Sequence, residues 1–153
     1  MIRSYIPTDR AACLDIFDSN CPKYFDPSER AFIEQWLNAQ DAGQPTYPNS
    51  SADHFYVLEK NNKVIACGGF YLLNDEHAAS IAWGMVHSDE HRQGYGKELF
   101  QFRVKELQKI LPGAKITLDT SQQTFGFFEK MGLTVQAVTK DGYGAGLDRY
   151  DMA

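Results

Sequence analysis

The chain has 153 residues, of which 43% are apolar and 13% aromatic, enough for one compact domain with a real core and too rich in large side chains for a disordered segment. Fifteen Lys plus Arg against twenty Asp plus Glu leave a net charge of −5, which disfavours nonspecific binding to a phosphate backbone. The longest apolar run, 64–73, is about half of the roughly 20 residues that span a bilayer, and the first dozen residues lack the apolar stretch of a signal peptide. The reading is therefore a soluble, cytoplasmic protein with neither a membrane nor a nucleic acid as partner. Three cysteines, Cys13, Cys21 and Cys67, with no C-x-x-C, read as reduced thiols.

In chain order, Ile2 to Ile6 predicts a short strand, and Thr8 and Asp9 offer caps for a helix carrying Ala12, Leu14, Ile16 and Phe17. A second helix is expected from Ser28, with Phe32, Ile33, Trp36 and Leu37 on one apolar face. Residues 41–53, rich in Gly, Pro, Asn and Ser, read as a loop. Residues 54–59 and 64–73 flank an Asn-Asn turn and predict a hairpin, which 79–86 extends into a meander after a turn at Asn74, Asp75 and Glu76. Gly68, Gly69 and Gly84 are awkward inside strands and point to a bulge or to close approach by another group.

From Lys97 to Ile110 the apolar spacing is helical, and Pro112-Gly113 ends the run. A strand at 115–119, a short helix at 124–131, a strand at 133–139, a turn at 141–146 and a final strand complete the pattern. This order predicts a mixed α/β sheet of about six to seven strands with helices on both faces. The strands joined through the long helix should be parallel neighbours.

The chemistry concentrates in VHSDEHRQGYGKEL, residues 86–99. A strand ends there, and Gly94 and Gly96 open the long helix, where unpartnered amides and the helix dipole attract phosphate. Arg92 and Lys97 add cations. A P-loop would need Gly at 91 and Ser or Thr at 98, and a dinucleotide fingerprint Gly at 99; His91, Glu98 and Leu99 exclude both. Zinc is not expected, because HSDEH lacks Glu directly after its first histidine and precedes Gly94 rather than lying in a periodic helix.

With Val86 eight residues before Gly94, Gly96 following, and TFGFFEKMGL at 124–133, the sequence resembles the GNAT superfamily of acyl-CoA N-acyltransferases. The first element matches the family's Q/R-x-x-G-x-G/A signature, with His91 at the Q/R position, and the second its f-Y-e-k-l-G-F element. Phe128 stands where the family usually has a tyrosine that protonates the departing thiolate.

The resemblance implies a single N-acetyltransferase domain over 1–153, splayed between its fourth and fifth strands, moving acetyl from acetyl-CoA to a primary amine of a small molecule or peptide. No metal is needed. The pantetheine arm would pair with the backbone of Met85 and Val86, and the amide of one of them would polarise the thioester. Pyrophosphate would meet His91, Arg92, Gln93, Gly94, Tyr95, Gly96 and Lys97, while Ser121, Phe128 and Lys130 would complete the cofactor site. Candidate bases are His87, Glu76 and Asp119. Tyr143, Tyr95, Tyr150 or a water are left as the acid. The acceptor would be lined by Tyr24, Phe25, Asp26 and Tyr47. A catalytically weakened CoA-binding sensor is the alternative, and a homodimer is left open.

Overall fold

The computed structural model describes residues 1–74 and 76–153. Its elements are β1 (Ile2–Ser4), α1 (Arg10–Ser19), α2 (Arg30–Ala42), β2 (Ser50–Lys60), β3 (Lys63–Leu73), β4 (Ala78–Val86), α3 (Tyr95–Ile110), β5 (Lys115–Thr120), α4 (Phe125–Lys130), β6 (Val135–Gly144) and β7 (Leu147–Met152). The seven strands form one sheet in the order β1-β2-β3-β4-β5-β7-β6, antiparallel except where β4 meets β5.

Period-two alternation in β2 feeds two cores. Phe55 and Val57 face α1 and α2, where they join Ile16, Phe17, Ile33, Trp36 and Leu37; Tyr56 and Leu58 face α3 with Leu99, Phe100 and Leu107. The β2–β3 hairpin turns on Asn61 and Asn62, at φ of 52° and 62°. Two successive left-handed residues match the twist of the flanking strands, and asparagine tolerates that region better than most side chains.

Several expectations shift by tertiary context. Phe32 is 58% exposed, so the buried stripe of α2 is Ile33, Trp36 and Leu37 alone. The loop expected over 41–53 shrinks to 43–49. Gly43, left-handed at φ 66°, stops α2, and the polar Ser50–Asp53 stretch is already strand. Asp53 makes that possible by accepting from Gln40 Nε2, Thr46 N, Thr46 Oγ1 and Ser50 Oγ, which ties loop to sheet. The turn expected at 141–146 shrinks to 145–146, because 141–144 are already the end of β6, which closes on β7 through the Gly144–Leu147 pair. Of the turn expected at 74–76, Asp75 lies outside the described residues.

Two features shape the centre of the sheet. On β4, Met85 pairs with Cys67 but Ala82 with Gly69, so β4 carries one extra residue, and Trp83 takes φ 53° at this bulge. Pairing of β4 with β5 ends after Ser80–Thr117, although both strands run on, which opens a wedge between their C-terminal halves.

Candidate active site

A cavity of about 560 Å³ fills the wedge. One side of it is the mouth of α3. Gly94 caps the helix at φ 85° with no side-chain cap, and the first intrahelical bond runs from Glu98 N to Gly94 O, leaving the amides of Tyr95, Gly96 and Lys97 directed out of the helix end. Arg92, at φ 64°, bends the chain before it. A methyl on Gly96 would lie 3.8 Å from Phe127 Cζ and 3.9 Å from Val86 Cγ2, ordinary contact distances, so the protein's own packing does not require glycine there.

The free edge of β4 forms the next wall. His87 N donates to Ile65 O on β3. Alternate residues of an antiparallel pair face the partner, so Met85 also directs its backbone to β3, and Val86 turns its N–H and C=O to the wedge. Val86 O accepts from Asn20 Nδ2 at 2.9 Å and from His91 Nε2 at 2.8 Å. The role expected of Met85 is thereby corrected: its side chain sits in the α1/α2 core and its amide belongs to the sheet, so the exposed backbone groups are those of Val86.

Opposite lies an aromatic and acidic wall. Phe25 stacks on Trp83 with ring centroids 6.2 Å apart, Tyr24 meets His91 edge-on at 5.2 Å, and Tyr47 packs on Tyr71 at 4.8 Å. Among them sits Glu29, 8% exposed. Asp26 and Glu29 form a reciprocal cap at the start of the second helical segment: Asp26 accepts from Ser28 N, and Glu29 Oε2 accepts from Asp26 N at 2.8 Å. Burial, helped by the nearby Asp119 charge, pushes the Glu29 carboxyl up to about 7 against the pull of that one backbone bond. Tyr143 donates its hydroxyl to Asp119, and burial together with that carboxylate raises the phenol well above its ordinary range, so Tyr143 keeps its proton. Asp119 is held further by Arg149 Nη2 at 3.5 Å.

Of the residues singled out in the sequence, Tyr24, Phe25, Tyr47, Met85, Val86, His91, Arg92, Gly94, Tyr95, Gly96, Lys97, Asp119, Ser121, Phe128 and Tyr143 are brought to the cavity. Glu76 is not: it lies in the turn before β4, at the opposite end of that strand. His87 is drawn to α1, 3.3 Å from Asp15 Oδ2, and its Nδ1 accepts from Asp89 N. Gln93 turns to Glu90, Asp26 is spent on its cap, and Lys130 is exposed on α4 away from the cavity. Tyr150 is stacked on Phe125 and stands off the cavity lining. The cavity also takes in residues that no functional motif marks, Asn20 and Glu29 among them. Asn20 gave no signal, whereas Glu29 is the last residue of D-P-S-E, a capping-box string that marks a helix start. Among the described residues no group of His, Cys, Asp or Glu is placed to hold a metal, and no helix is long and apolar enough to cross a membrane.

A mixed sheet wedged open beside a helix whose amides face the opening is the architecture of an acyl-CoA N-acyltransferase. The family model for the acetyltransferase (GNAT) family matches residues 12–133, and the chain belongs to that family. Its fold is also that of a GNAT-family protein from Desulfovibrio desulfuricans, with a TM-score of 0.80 at 19% identity over 99% of this chain and 96% of that one. The ribosomal-protein-S18-alanine N-acetyltransferase of Escherichia coli gives 0.72 at 21% identity over 99% and 90%. The yncA protein of Salmonella typhimurium, whose structure contains acetyl-CoA, gives 0.70 at 18% over 99% and 91%. No curated protein matches the chain in sequence.

Proposed function

We propose that residues 1–153 act as one N-acetyltransferase domain, taking acetyl-CoA as donor and a primary amine on a small molecule or peptide as acceptor, in the cytoplasm. The observation that carries this reading is the open α3 mouth beside the unpaired Val86 edge. The amides of Tyr95, Gly96 and Lys97, with the Arg92 and Lys97 side chains, suit a pyrophosphate. Val86 offers its backbone to the pantetheine as an added strand would, once His91 and Asn20 release the carbonyl they hold. A backbone amide at the β4 bulge then lies where a thioester oxygen would gain charge.

Glu29 is the base that the geometry favours. Its Oε1 has no partner among the described residues, it borders the cavity, and its affinity for a proton matches neutral pH. The amine nitrogen attacks the carbonyl carbon as Glu29 takes the amine proton. The C–S bond breaks, and the thiolate leaves. Phe128 gives that thiolate no hydroxyl, and Tyr143 has its proton committed to Asp119, so water protonates the sulfur. Aromatic rings beside carboxylates suit a cationic acceptor.

Thiol release from acetyl-CoA, followed over a panel of amines and amino-terminal peptides, tests this reading; CoA binding without turnover of any acceptor would favour the sensor instead. Gly96→Ala provides a sharper check. It should leave folding intact or add about 0.5 kcal/mol of helix stability. By placing a methyl before the phosphate amides, it should weaken CoA binding about tenfold, as read by calorimetry.

A further inference from the structure

We infer that Arg103 anchors a carboxylate at the end of the transferred acyl group, so that the favoured donor is the CoA thioester of a short dicarboxylic acid. This rests on the acyl-CoA reading above and ranks its donors: acetyl-CoA remains a donor, and a thioester ending in a carboxylate is bound in preference to it. Arg103, in the middle of α3, is 3% exposed and has no carboxylate partner among the described residues. Its Nε donates to Leu99 O at 3.4 Å and its Nη1 to Gly69 O at 3.2 Å, while Nη2 has no hydrogen-bond partner there. The face of Phe100, 5.9 Å away, covers part of the charge. Burial lowers its affinity for a proton only to about 10, so the guanidinium is charged at neutral pH, and the nearby Cys67 thiol, pushed up by its hydrogen bond with Cys13 and by burial, supplies no anion. A buried cation lacking an ion partner is costly to keep.

The sequence makes room for this cation. A Cβ on Gly68 would stand 2.9 Å from Arg103 Cζ, and one on Gly84 2.7 Å from Nη2. Both glycines, awkward for a strand, therefore house the guanidinium. It borders the cavity together with Ser80, Ile81, Leu99 and Leu118, at the deep end where β4 and β5 part. The surroundings there are otherwise mainly aliphatic, so an acetyl methyl would leave the charge unanswered, and a carboxylate would receive a charge-assisted pair. Tyr24 and Glu29 belong to the segment between α1 and α2 and Tyr47 packs against the α1/α2 core, whereas Arg103 lies on α3, which assigns the cation to the donor rather than to the acceptor.

Calorimetric titration with free CoA, butyryl-CoA and succinyl-CoA tests the assignment, because the last two share a four-carbon chain and differ in the terminal carboxylate. The protein should bind succinyl-CoA about tenfold or more tightly than butyryl-CoA. Arg103→Met should abolish that preference without changing the affinity for free CoA, and Arg103→Lys should keep part of it. Equal affinity for the two thioesters overturns the proposal, and this comparison needs no variant to fold. A protein that binds no free CoA overturns the cofactor reading instead, and the proposal falls with it.

Discussion

Glu29→Gln is expected to lower kcat about 10²- to 10⁴-fold, the usual contribution of a positioned general base, while making the folded protein more stable above pH 7. The two effects have one cause. In the unfolded chain the carboxyl titrates near 4.5, and in the folded protein near 7, so the folded state binds the proton more tightly between those values. Stability that is full below about pH 4.5 is therefore lost as the pH rises through 7, where the buried carboxylate must ionise. Glutamine keeps an oxygen to accept from Asp26 N and removes the ionisation, so the unfolding free energy from urea titration at pH 8 should rise by about 1–2 kcal/mol, less than the full shift implies because the cavity admits water. In kcat/KM against pH, the wild type should show a rising limb centred near 7, and the variant should lack it. A variant with undiminished turnover would remove Glu29 from the chemistry and return attention to Asp119.

The parts of this site that sequence disclosed are those built by local spacing. Gly94 and Gly96 open a helix wherever the chain goes, and the distance back to Val86 is covalent. The β2–β3 hairpin was similarly legible, since Asn61-Asn62 between apolar runs fits few other structures. What stayed hidden depends on which distant surface a residue meets. Glu29 is an ordinary capping residue until Tyr143, Asp119 and Tyr47 close over it. Arg103 falls three residues after Phe100 and four before Leu107, on the apolar stripe of α3, but an arginine in a helix is read as solvated unless the glycines opposite are known to leave it a place. Whether Met85 or Val86 turns its amide to the wedge depends on the register of β4 against β3, and nothing in the sequence places that register to within one residue.

A methyl at Gly69 and a methyl at Gly84 should have opposite consequences, although the chemical change is the same. Neither residue has a left-handed backbone, so space alone decides. A Cβ on Gly69 would lie 2.2 Å from the backbone carbonyl oxygen of His54, and 3.1 Å from both Phe55 Cδ1 and Trp36 Cζ2. The obstacle is the neighbouring strand itself, with a fully buried indole behind it, and neither can withdraw without breaking β2–β3 pairing or moving α2. Gly69→Ala should therefore cost about 3 kcal/mol or more, at the upper end of overpacking effects. The nearest atoms to a Cβ on Gly84 all belong to the guanidinium end of Arg103, the tip of a flexible side chain beside a cavity. Gly84→Ala should fold, with an unfolding free energy from urea titration within about 1 kcal/mol of wild type, and displace the guanidinium from the acyl end of the wedge. The pair thus separates the glycine that holds the sheet together from the one that makes room for a charge. Equal destabilisation by both methyls would show that Arg103 is wedged as rigidly as the backbone, leaving it no freedom to meet a ligand.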